Sequence, residues 1–405
     1  MIVGFDGSRA FEKVRTGTEE YSYQLLKNLA KIDEKNIYKV FIRPNSKVEG
    51  DWPENFQFIK IDLPRFWTQV GLATKTFFED LDVLFVPAHT LPIIYRPGLK
   101  TVVTVHDLGS EYLPKTHQLK QRLYLGLMQR YQLKKATHII AVSNATKNDL
   151  VNKIKLPSQK IGVVYEGFDE NLFKPVKSDQ LRDTLKYYGI EKERYFLFVG
   201  TVQPRKNLER LIRAFSLLKL SRAADLLSVR GPAGSQPHSM SSTSLRALIG
   251  APRSPSPLTT ELVIVGKKGW LSDEIYDLPK KLGIENRVKF LDYVKREDLP
   301  ALYSGALALT YPSLYEGFGL PILEAQACGC PVITSKISSM PEVVGKGGIL
   351  VNPLSVDDIV KGMEKCQISN VKSQMIKAGF ENVKKFSWEK CAKETLKVLE
   401  EVANE

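Results

Sequence analysis

The stretch Tyr311-Pro-Ser-Leu-Tyr-Glu316-Gly-Phe-Gly-Leu320-Pro-Ile-Leu-Glu324-Ala continues from a short apolar run, Leu307–Tyr311, that is typical of a buried strand. It passes through a glycine-containing loop and reaches Pro321, and proline is favoured in the first turn of a helix. Free N–H groups at such a helix start attract anions, so the loop is suited to a diphosphate. The predicted donors are the backbone N–H groups of Gly317, Phe318, Gly319 and Leu320.

Short β-branched runs and helical patterns alternate in this way along most of the chain. The predicted strands of the first half are Ile2–Asp6, Lys39–Ile42, Asp82–Pro87, Thr101–His106, His138–Val142 and Ile161–Tyr165. Those of the second half are Tyr195–Gly200, Glu261–Val265, Val288–Leu291, Leu307–Tyr311, Pro331–Thr334 and Gly348–Val351. The alternation predicts an α/β fold of two doubly wound, Rossmann-like domains that face a cleft and join near Glu166–Pro175. Such sheets bind ligands at the carboxyl ends of their strands, so we expect the active site in this cleft.

The composition is that of a globular protein without a membrane span. Of the 405 residues, 43% are apolar and 25% are charged. No apolar run approaches the roughly 18 residues that a transmembrane helix needs. The chain starts with a predicted strand instead of a basic and apolar leader, so we expect a cytoplasmic protein. The net charge of +13 attracts nucleotides and anionic lipids, but no nucleic-acid-binding motif is visible and no nucleic-acid partner is expected.

The sequence predicts neither a metal site nor a bound cofactor. The four cysteines lack the paired spacing of zinc ligands. Asp80 and Asp82 precede a strand, which places them at the edge of the sheet opposite to the ligands. The chain has no G-x-G-x-x-G fingerprint for a nicotinamide or flavin cofactor and no P-loop.

Residues 221–260 differ in composition from the rest of the chain. They contain nine Ser, five Pro and four Arg, and no lysine occurs between Lys219 and Lys267. Such a segment can build little core, so we predict an inserted, disordered surface loop that takes no part in the chemistry. A role in binding a partner is the alternative.

Two glutamates bracket the glycine loop, Glu316 before it and Glu324 about one turn into the helix. One carboxylate could bind a sugar and the other a pair of ribose hydroxyl groups. In the alternative interpretation, Glu316 caps the helix and Glu324 is a solvated helix residue.

A second strand–helix junction contains Gly200 and the adjacent cations Arg205 and Lys206. Cations at a helix start oppose the helix dipole, which favours a functional reason over a solvated pair. Two fixed cations there could stabilise the charge that grows on a departing diphosphate.

Two further candidates follow strands of the first domain. His106 ends a strand and could contact a sugar across the cleft, or it could be packed and bonded to Asp107. Gly17 allows a tight turn after the first strand, and Thr16 or Thr18 could cap the next helix.

Together these elements resemble the family 4 glycosyltransferases (glycosyl transferases group 1), retaining enzymes of the GT-B fold. The segment Glu316–Glu324 resembles the family's two-glutamate motif, and Gly200–Lys206 resembles its phosphate-binding loop. Further matches are Val105-His106-Asp107, Val142-Ser143, Pro341-Glu342-Val343 and Gly348-Ile-Leu-Val-Asn-Pro353. The resemblance covers nearly the whole chain except residues 221–260.

The resemblance implies transfer of a sugar from a nucleotide-diphosphate sugar without a metal ion. It implies that Arg205 and Lys206 hold the donor diphosphate, with Gly200 and the Gly317–Leu320 loop beside them. Glu324 then binds the ribose, while Glu316 and His106 contact the transferred sugar as the catalytic residues. The loop at Gly17 and Thr18 would meet the acceptor or the diphosphate.

The resemblance also implies a division of the chain into parts. Residues 1–168 would form the acceptor-side domain, and residues 169–385 would form the nucleotide-sugar-binding domain. Residues 386–405 would form a terminal helix that crosses back to the first domain.

Three positions depart from the family pattern. Thr16-Gly17-Thr18 replaces a common Gly-Gly pair, and Thr201 replaces a common arginine, for which Arg205 could substitute. Glu166 stands where the family often has asparagine at the interdomain turn, and it adds a carboxylate near the predicted cleft.

The acceptor is the least defined part of the prediction. We expect transfer of a hexose, with GDP-mannose as the specific hypothesis, to a glycan or lipid-linked acceptor. The segment Gln118–Lys135 is basic and amphipathic and could lie on the inner face of a membrane, or it could pack on its own sheet. The rival hypotheses are an inactive nucleotide-sugar-binding protein of the same fold and another GT-B class, such as an epimerase or a phosphorylase.

Overall fold

The computed structural model describes residues 1–12, 15, 17–88, 91–108, 130–218 and 260–405. The predicted insertion, residues 221–260, lies outside the described residues except for its last residue, Thr260. Most of the predicted helix Gln118–Ala136 also lies outside them, although residues 130–135 are helical. Among the helices of the described ranges, none is long and apolar enough to cross a lipid bilayer.

A seven-stranded parallel sheet occupies the first part of the chain. Its strands are β1 (Ile2–Asp6), β2 (Ile37–Ile42), β3 (Phe56–Lys60), β4 (Val83–Val86), β5 (Lys100–Val105), β6 (His138–Ala141) and β7 (Ile161–Val163). They pair in the order β3-β2-β1-β4-β5-β6-β7. The central strands β1, β4 and β5 are almost fully buried because helices cover both faces of the sheet.

A second parallel sheet of six strands follows. Its strands are β8 (Tyr195–Val199), β9 (Glu261–Val265), β10 (Val288–Leu291), β11 (Ala308–Tyr311), β12 (Val332–Ser335) and β13 (Gly348–Val351). They pair in the order β10-β9-β8-β11-β12-β13. The two sheets confirm the predicted α/β fold of two doubly wound domains.

The sequence patterns did not predict strand β3. This strand lies at the edge of the first sheet and pairs only with β2. Gln57 and Lys60 are exposed on it, and its five residues are mostly half-buried or exposed. An edge strand packs against fewer neighbours than a central one, so it carries a weaker apolar signal.

Twelve α-helices fall within the described ranges. They are α1 (Gly17–Ile32), α2 (Ala73–Phe78), α3 (Asn144–Ile154), α4 (Ser178–Tyr187), α5 (Leu208–Leu217), α6 (Asp273–Lys281), α7 (Leu299–Gly305), α8 (Leu320–Ala327), α9 (Met340–Val344), α10 (Val356–Lys365), α11 (Ser369–Val383) and α12 (Trp388–Asn404). A π-helical segment, Trp67–Leu72, runs directly into α2. Short 3₁₀ turns precede several of the helices and strands.

The terminal helix α12 packs on α1 of the first domain. Ser387 caps α12 by accepting a hydrogen bond from the N–H of Lys390 at 3.1 Å. Trp388 then meets Tyr21 of α1, with ring centroids 5.8 Å apart. The last helix therefore contacts the domain that the first half of the chain builds.

The strand order reverses at the centre of each sheet, between β1 and β4 and between β8 and β11. Ligands of open parallel sheets bind at such points, outside the carboxyl ends of the strands. The loops that follow β8 and β11 contain Gly200–Lys206 and Glu316–Gly319 respectively. The topology therefore brings the two predicted phosphate-binding loops side by side.

Candidate active site

A cavity of about 610 Å³ lies between the two domains. Residues of the first domain line one wall, including Gly17, Thr18 and His106, and residues of the second domain line the other. All the residues that the sequence analysis assigned to the site line this cavity: Gly17, Thr18, His106, Gly200, Arg205, Lys206, Glu316, Gly317, Phe318, Gly319, Leu320 and Glu324. The structure thus brings the predicted residues together, and their individual roles remain predictions.

The glycine loop enters α8 through a left-handed residue. Gly319 is the N-cap of α8 with φ of 110°, a conformation that only glycine adopts without strain, and Pro321 lies in the first turn. Gly317 lies directly against the first domain, because an added Cβ atom there would come within 1.7 Å of the His106 carbonyl oxygen. The glycines therefore serve two purposes, a sharp turn at Gly319 and a close domain contact at Gly317.

Glu316 lies at the centre of a buried ion cluster. Its Oε1 is 2.6 Å from Lys206 Nζ, and its Oε2 is 3.2 Å from an Arg205 guanidinium nitrogen. Burial alone would raise the pKa of this carboxyl, but Lys206 and Arg205 outweigh burial and hold it below the usual range. Glu316 is therefore ionised at neutral pH, and its carboxylate binds these two cations instead of capping α8.

The two cations sit in a 3₁₀ turn, Pro204–Lys206, between β8 and α5. Lys206 is buried and also donates a hydrogen bond to the Tyr311 hydroxyl at 2.7 Å. Arg205 reaches the other domain, where one guanidinium nitrogen lies 3.6 Å from Asp107. Arg205 and Lys206 are therefore not a solvated basic pair, because both face protein carboxylates at the cavity wall.

Glu324 is partly buried, one turn into α8, where it accepts a hydrogen bond from the Tyr303 hydroxyl at 2.8 Å. Burial raises the pKa of this carboxyl to about 7. The interpretation of Glu324 as a solvated helix residue is therefore wrong. At neutral pH the group can accept or donate a hydrogen bond to a hydroxyl group in the cavity.

The raised pKa of Glu324 predicts a pH-dependent stability. The folded-state value, about 7, exceeds the ordinary value of 4.5, so the folded protein keeps a proton that the unfolded chain releases between these pH values. The stabilisation is fully present below the ordinary pKa and is lost as the pH rises through about 7. We expect the E324Q variant to be more stable than the wild type at pH 8, by on the order of 2 kcal/mol, and about equally stable near pH 4, below the ordinary pKa.

Urea unfolding of the free protein at the two pH values measures this difference. E381Q is the matched control, because Glu381 is fully exposed and pairs with Lys384 on the surface. A stabilisation by E324Q that is the same at both pH values would contradict the assignment of this pKa.

His106 is buried in the wall of the first domain, and its partner differs from the one considered in the sequence analysis. Its Nδ1 lies 2.9 Å from Glu166 Oε1, and its Nε2 lies 2.8 Å from the carbonyl oxygen of Pro87. The predicted alternative, a hydrogen bond to Asp107, is not the contact that the structure shows. Asp107 turns towards Arg205 instead.

Gly17 and Thr18 form the first residues of α1 at the cavity wall. In the part of the chain that the structure describes, an added Cβ atom at Gly17 would meet no atom within 4 Å, so this glycine leaves open space in the cavity. Thr18 lies inside the helix instead of capping it, and its hydroxyl is 3.3 Å from Glu19. The structure thus leaves room beside these residues for a ligand of the first domain.

Several cavity residues escaped the sequence analysis. Arg296 of the second domain lies 2.6 Å from Glu20 of α1 and 3.7 Å from Asp169, so it bridges the two domains. Trp388 of α12 also lines the cavity. Arg296 follows the carboxyl end of β10, and this position could have identified it as a cavity residue. No local signal in the sequence distinguishes Trp388.

Contacts around the cavity hold the domains together. Glu342 of α9 accepts hydrogen bonds from the N–H groups of Asn144 and Ala145, at 3.1 and 3.0 Å, and so caps α3 of the other domain. The Ser143 hydroxyl donates to the Gly317 carbonyl at 2.6 Å. Ser143 and Glu342 belong to two of the short motifs singled out in the sequence.

Within the described part of the chain, no group of three or more His, Cys, Asp or Glu side chains could hold a metal ion. The cavity instead presents Arg205, Lys206 and the amino end of α8 on the side of the second domain. Two facing doubly wound domains around such a cavity define the class of GT-B enzymes.

Comparison with known families agrees with this class. Residues 16–172 match the family described as Glycosyltransferase Family 4, and residues 255–381 match Glycosyl transferases group 1. The chain therefore belongs to the family 4, group 1 glycosyltransferases and is a glycosyltransferase. The comparisons give no support to the alternative of an inactive binding protein.

Two similar curated proteins are bacterial. The O-antigen chain mannosyltransferase B of Escherichia coli is 29% identical over 308 residues, which cover 75% of this chain and 72% of the relative. The O-antigen chain mannosyltransferase RfbU of Salmonella typhimurium is 25% identical over 397 residues, covering 92% and 94%. Among solved structures, sucrose-phosphate synthase from Thermosynechococcus elongatus has the same fold, with a TM-score of 0.71, 19% identity and coverage of 99% and 98%.

Proposed function

We propose that this protein is a retaining, metal-independent mannosyltransferase that transfers mannose from GDP-mannose to a glycan or lipid-linked acceptor. The observation that carries the proposal is the buried cluster of Glu316, Lys206 and Arg205 beside the amino end of α8. A diphosphate placed there meets two fixed cations and a helix dipole, which can take the part of a divalent metal ion. The names of the two bacterial relatives support mannose as the sugar.

Three of the carboxylates that line the cavity face basic groups, which supports a retaining mechanism that does not use them to form a covalent intermediate. Glu316 is paired with Lys206, and Glu166 with the His106 ring. Asp107 lies near Arg205. Because each of these carboxylates faces a basic group, none stands ready as a nucleophile. Stabilisation of the leaving diphosphate by Arg205 and Lys206 then supplies the main catalytic effect, and the acceptor attacks from the same face.

A stability screen in EDTA tests the donor. We expect GDP-mannose to stabilise the protein more than UDP-glucose or ADP-glucose, since a ligand at a hundred times its Kd adds about 2.7 kcal/mol. NMR spectroscopy of the product then gives the anomeric configuration. A β-linked product from the α-linked donor, or activity that is lost in EDTA and restored by Mg²⁺, would contradict the proposal.

A lipid-linked acceptor would require contact with a membrane, and the described structure offers a surface for it. We define the apolar patch as Phe66, Val70, Phe77, Phe78 and Ile94, with Phe66 and Phe78 75% and 81% exposed. The segments that form the patch are linked, because the Gln69 side chain bonds to Leu91 and Ile93. Arg65, Lys134 and Lys135 are exposed. Arg65 precedes Phe66 in the chain, and the carbonyl oxygen of Lys135 accepts a hydrogen bond from Tyr95, which follows Ile94. Aromatic side chains beside cations suit the interface of an anionic membrane. In this proposal the patch contacts the inner face of the cytoplasmic membrane.

Sedimentation with vesicles tests the apolar patch. We expect the F66D/F78D variant to bind vesicles of anionic phosphatidylglycerol at least about tenfold more weakly than the wild type, because it removes apolar contact and adds negative charge. L354D is the control, since Leu354 is equally apolar and 64% exposed on the other domain. Equal binding by the wild type and F66D/F78D would exclude the patch as the contact surface.

A further inference from the structure

The two ring nitrogens of His106 both face hydrogen-bond acceptors. The carbonyl oxygen of Pro87, 2.8 Å from Nε2, can only accept, so Nε2 must carry a proton. Nδ1 lies 2.9 Å from the Glu166 carboxylate, and a hydrogen bond there needs a second proton between the two groups. Imidazole binds a proton more tightly than a carboxylate, with ordinary pKa values of about 6.5 and about 4.3, so this proton resides on the ring.

The charged surroundings agree with a protonated ring. Across the cleft, Arg205 and Lys206 face the carboxylates of Glu316 and Asp107. On the side of the first domain, Glu166 is the carboxylate opposite His106. Within this group of six side chains, the carboxylates of Asp107, Glu166 and Glu316 are matched in charge when His106 joins Arg205 and Lys206 as a cation.

Two other described groups close to the ring, Tyr21 and Cys391, are neutral. Tyr21 of α1 packs edge-on against His106 with centroids 4.5 Å apart, and its hydroxyl lies 3.2 Å from Thr104. Burial raises the pKa of both Tyr21 and the nearby Cys391 of α12, so both stay neutral. Burial by itself lowers the pKa of His106, but Glu166 and then Pro87 and Asp107 outweigh it, and the net pKa is raised.

We propose that Glu166 is a positioning residue that holds His106 as an imidazolium ion, whose fixed positive charge faces the donor across the cleft. His106 then has no lone pair with which to accept a proton from the acceptor, so it does not act as a general base. The positive charge of the ring instead stabilises the negative charge that grows on the departing diphosphate. The proposal rests on the proposed function for its effect on transfer, but the protonation of the ring does not depend on it.

The proposal predicts a specific pH dependence. Because the pKa of His106 is raised, the ring stays charged to a higher pH than an ordinary imidazole, and the charge is lost as the pH rises through that pKa. Glutamine at position 166 keeps the size of the side chain and an accepting oxygen but removes the negative charge. The E166Q variant should therefore lose the ring proton at a lower pH than the wild type.

NMR spectroscopy of the full-length protein with ¹⁵N-labelled histidine tests this directly, since the chain has five histidines and H106N identifies the signal of His106. In the wild type we expect both ring nitrogens to be protonated at pH 7 and to titrate above about 6.5. In E166Q we expect titration at least about one pH unit lower than in the wild type. A wild-type ring with one unprotonated nitrogen at pH 7 would overturn the proposal, whatever reaction the protein catalyses.

The rate of transfer gives a second readout. We expect kcat/KM of E166Q to fall with rising pH at a lower pH than that of the wild type, and to be at least about tenfold below it at a pH between the two ring titrations seen by NMR. E79Q is the matched control, since Glu79 is a partly buried glutamate that also pairs with basic groups, Lys39 and Lys75, but is not among the residues that line the cavity. Parallel pH profiles of E166Q and the wild type would refute the role of Glu166. If His106 of the wild type titrates as expected but the protein transfers no sugar, the proposed function is refuted and the protonation of His106 is not.

Discussion

Replacing Lys206 with alanine is expected to lower kcat/KM for sugar transfer by about 10²–10³-fold, the usual effect of removing one preorganised group that stabilises developing charge. Lys206 is buried, and its ammonium group lies within 2.7 Å of both Glu316 and the Tyr311 hydroxyl. Its position is therefore fixed before a donor arrives. A diphosphate that enters the cavity gains a cation without the cost of ordering a flexible side chain.

The same substitution should also destabilise the protein, because it leaves Glu316 buried with Arg205 as its remaining cation. Removing one partner of a buried ion pair costs about 3–5 kcal/mol. The double variant K206A/E316Q separates the two effects, since a neutral side chain at position 316 no longer needs the cation. We expect the double variant to regain stability in urea unfolding and to transfer sugar more slowly than E316Q alone, which lacks the same carboxylate but keeps Lys206.

K393A is the control for this experiment, because Lys393 is an exposed residue of α12 that pairs only with Glu389 among the contacts described. It should match the wild type in both measurements. Equal transfer by K206A/E316Q and E316Q would show that Lys206 acts through the fold alone and not on the diphosphate.

Replacing Gly317 with alanine should lower kcat by at least about 10²-fold while each domain stays folded, since an error of about 1 Å in a catalytic geometry has an effect of this size. The added Cβ atom would lie 1.7 Å from the backbone oxygen of His106 and 3.0 Å from the Cβ of Asp107. Backbone atoms cannot move aside as the end of a side chain can. The two domains must therefore separate, and the hydrogen bond from Ser143 to the Gly317 carbonyl is weakened.

Small-angle X-ray scattering measures this separation as an increase in the radius of gyration. G17A is the control for the scattering measurement, because a Cβ atom at Gly17, at the start of α1, meets none of the described atoms within 4 Å. Full activity in G317A would mean that catalysis does not need the close contact between His106 and the glycine loop.

The local features of the site could be read from the sequence. Alternating short strands and helices predicted the two parallel sheets, and the order of Glu316, the glycines and Pro321 predicted the loop that begins α8. Each of these signals resides within a few consecutive residues, since a turn needs a particular glycine and a helix start favours proline. Sequence signals that span only a few residues do not depend on how the two domains pack together.

The partners of the charged groups could not be read in this way. Sequence analysis considered Asp107 for His106 and a helix cap for Glu316, whereas the structure pairs them with Glu166 and Lys206, which lie 60 and 110 residues away in the chain. The raised pKa of Glu324 likewise depends on burial beside Tyr303. Hydrogen bonds and ion pairs act over a few ångströms, so strand order and domain closure select the carboxylate that meets each cation. The sequence thus specified the elements and the types of groups at the cleft, while tertiary packing determined which groups touch and which protons they hold.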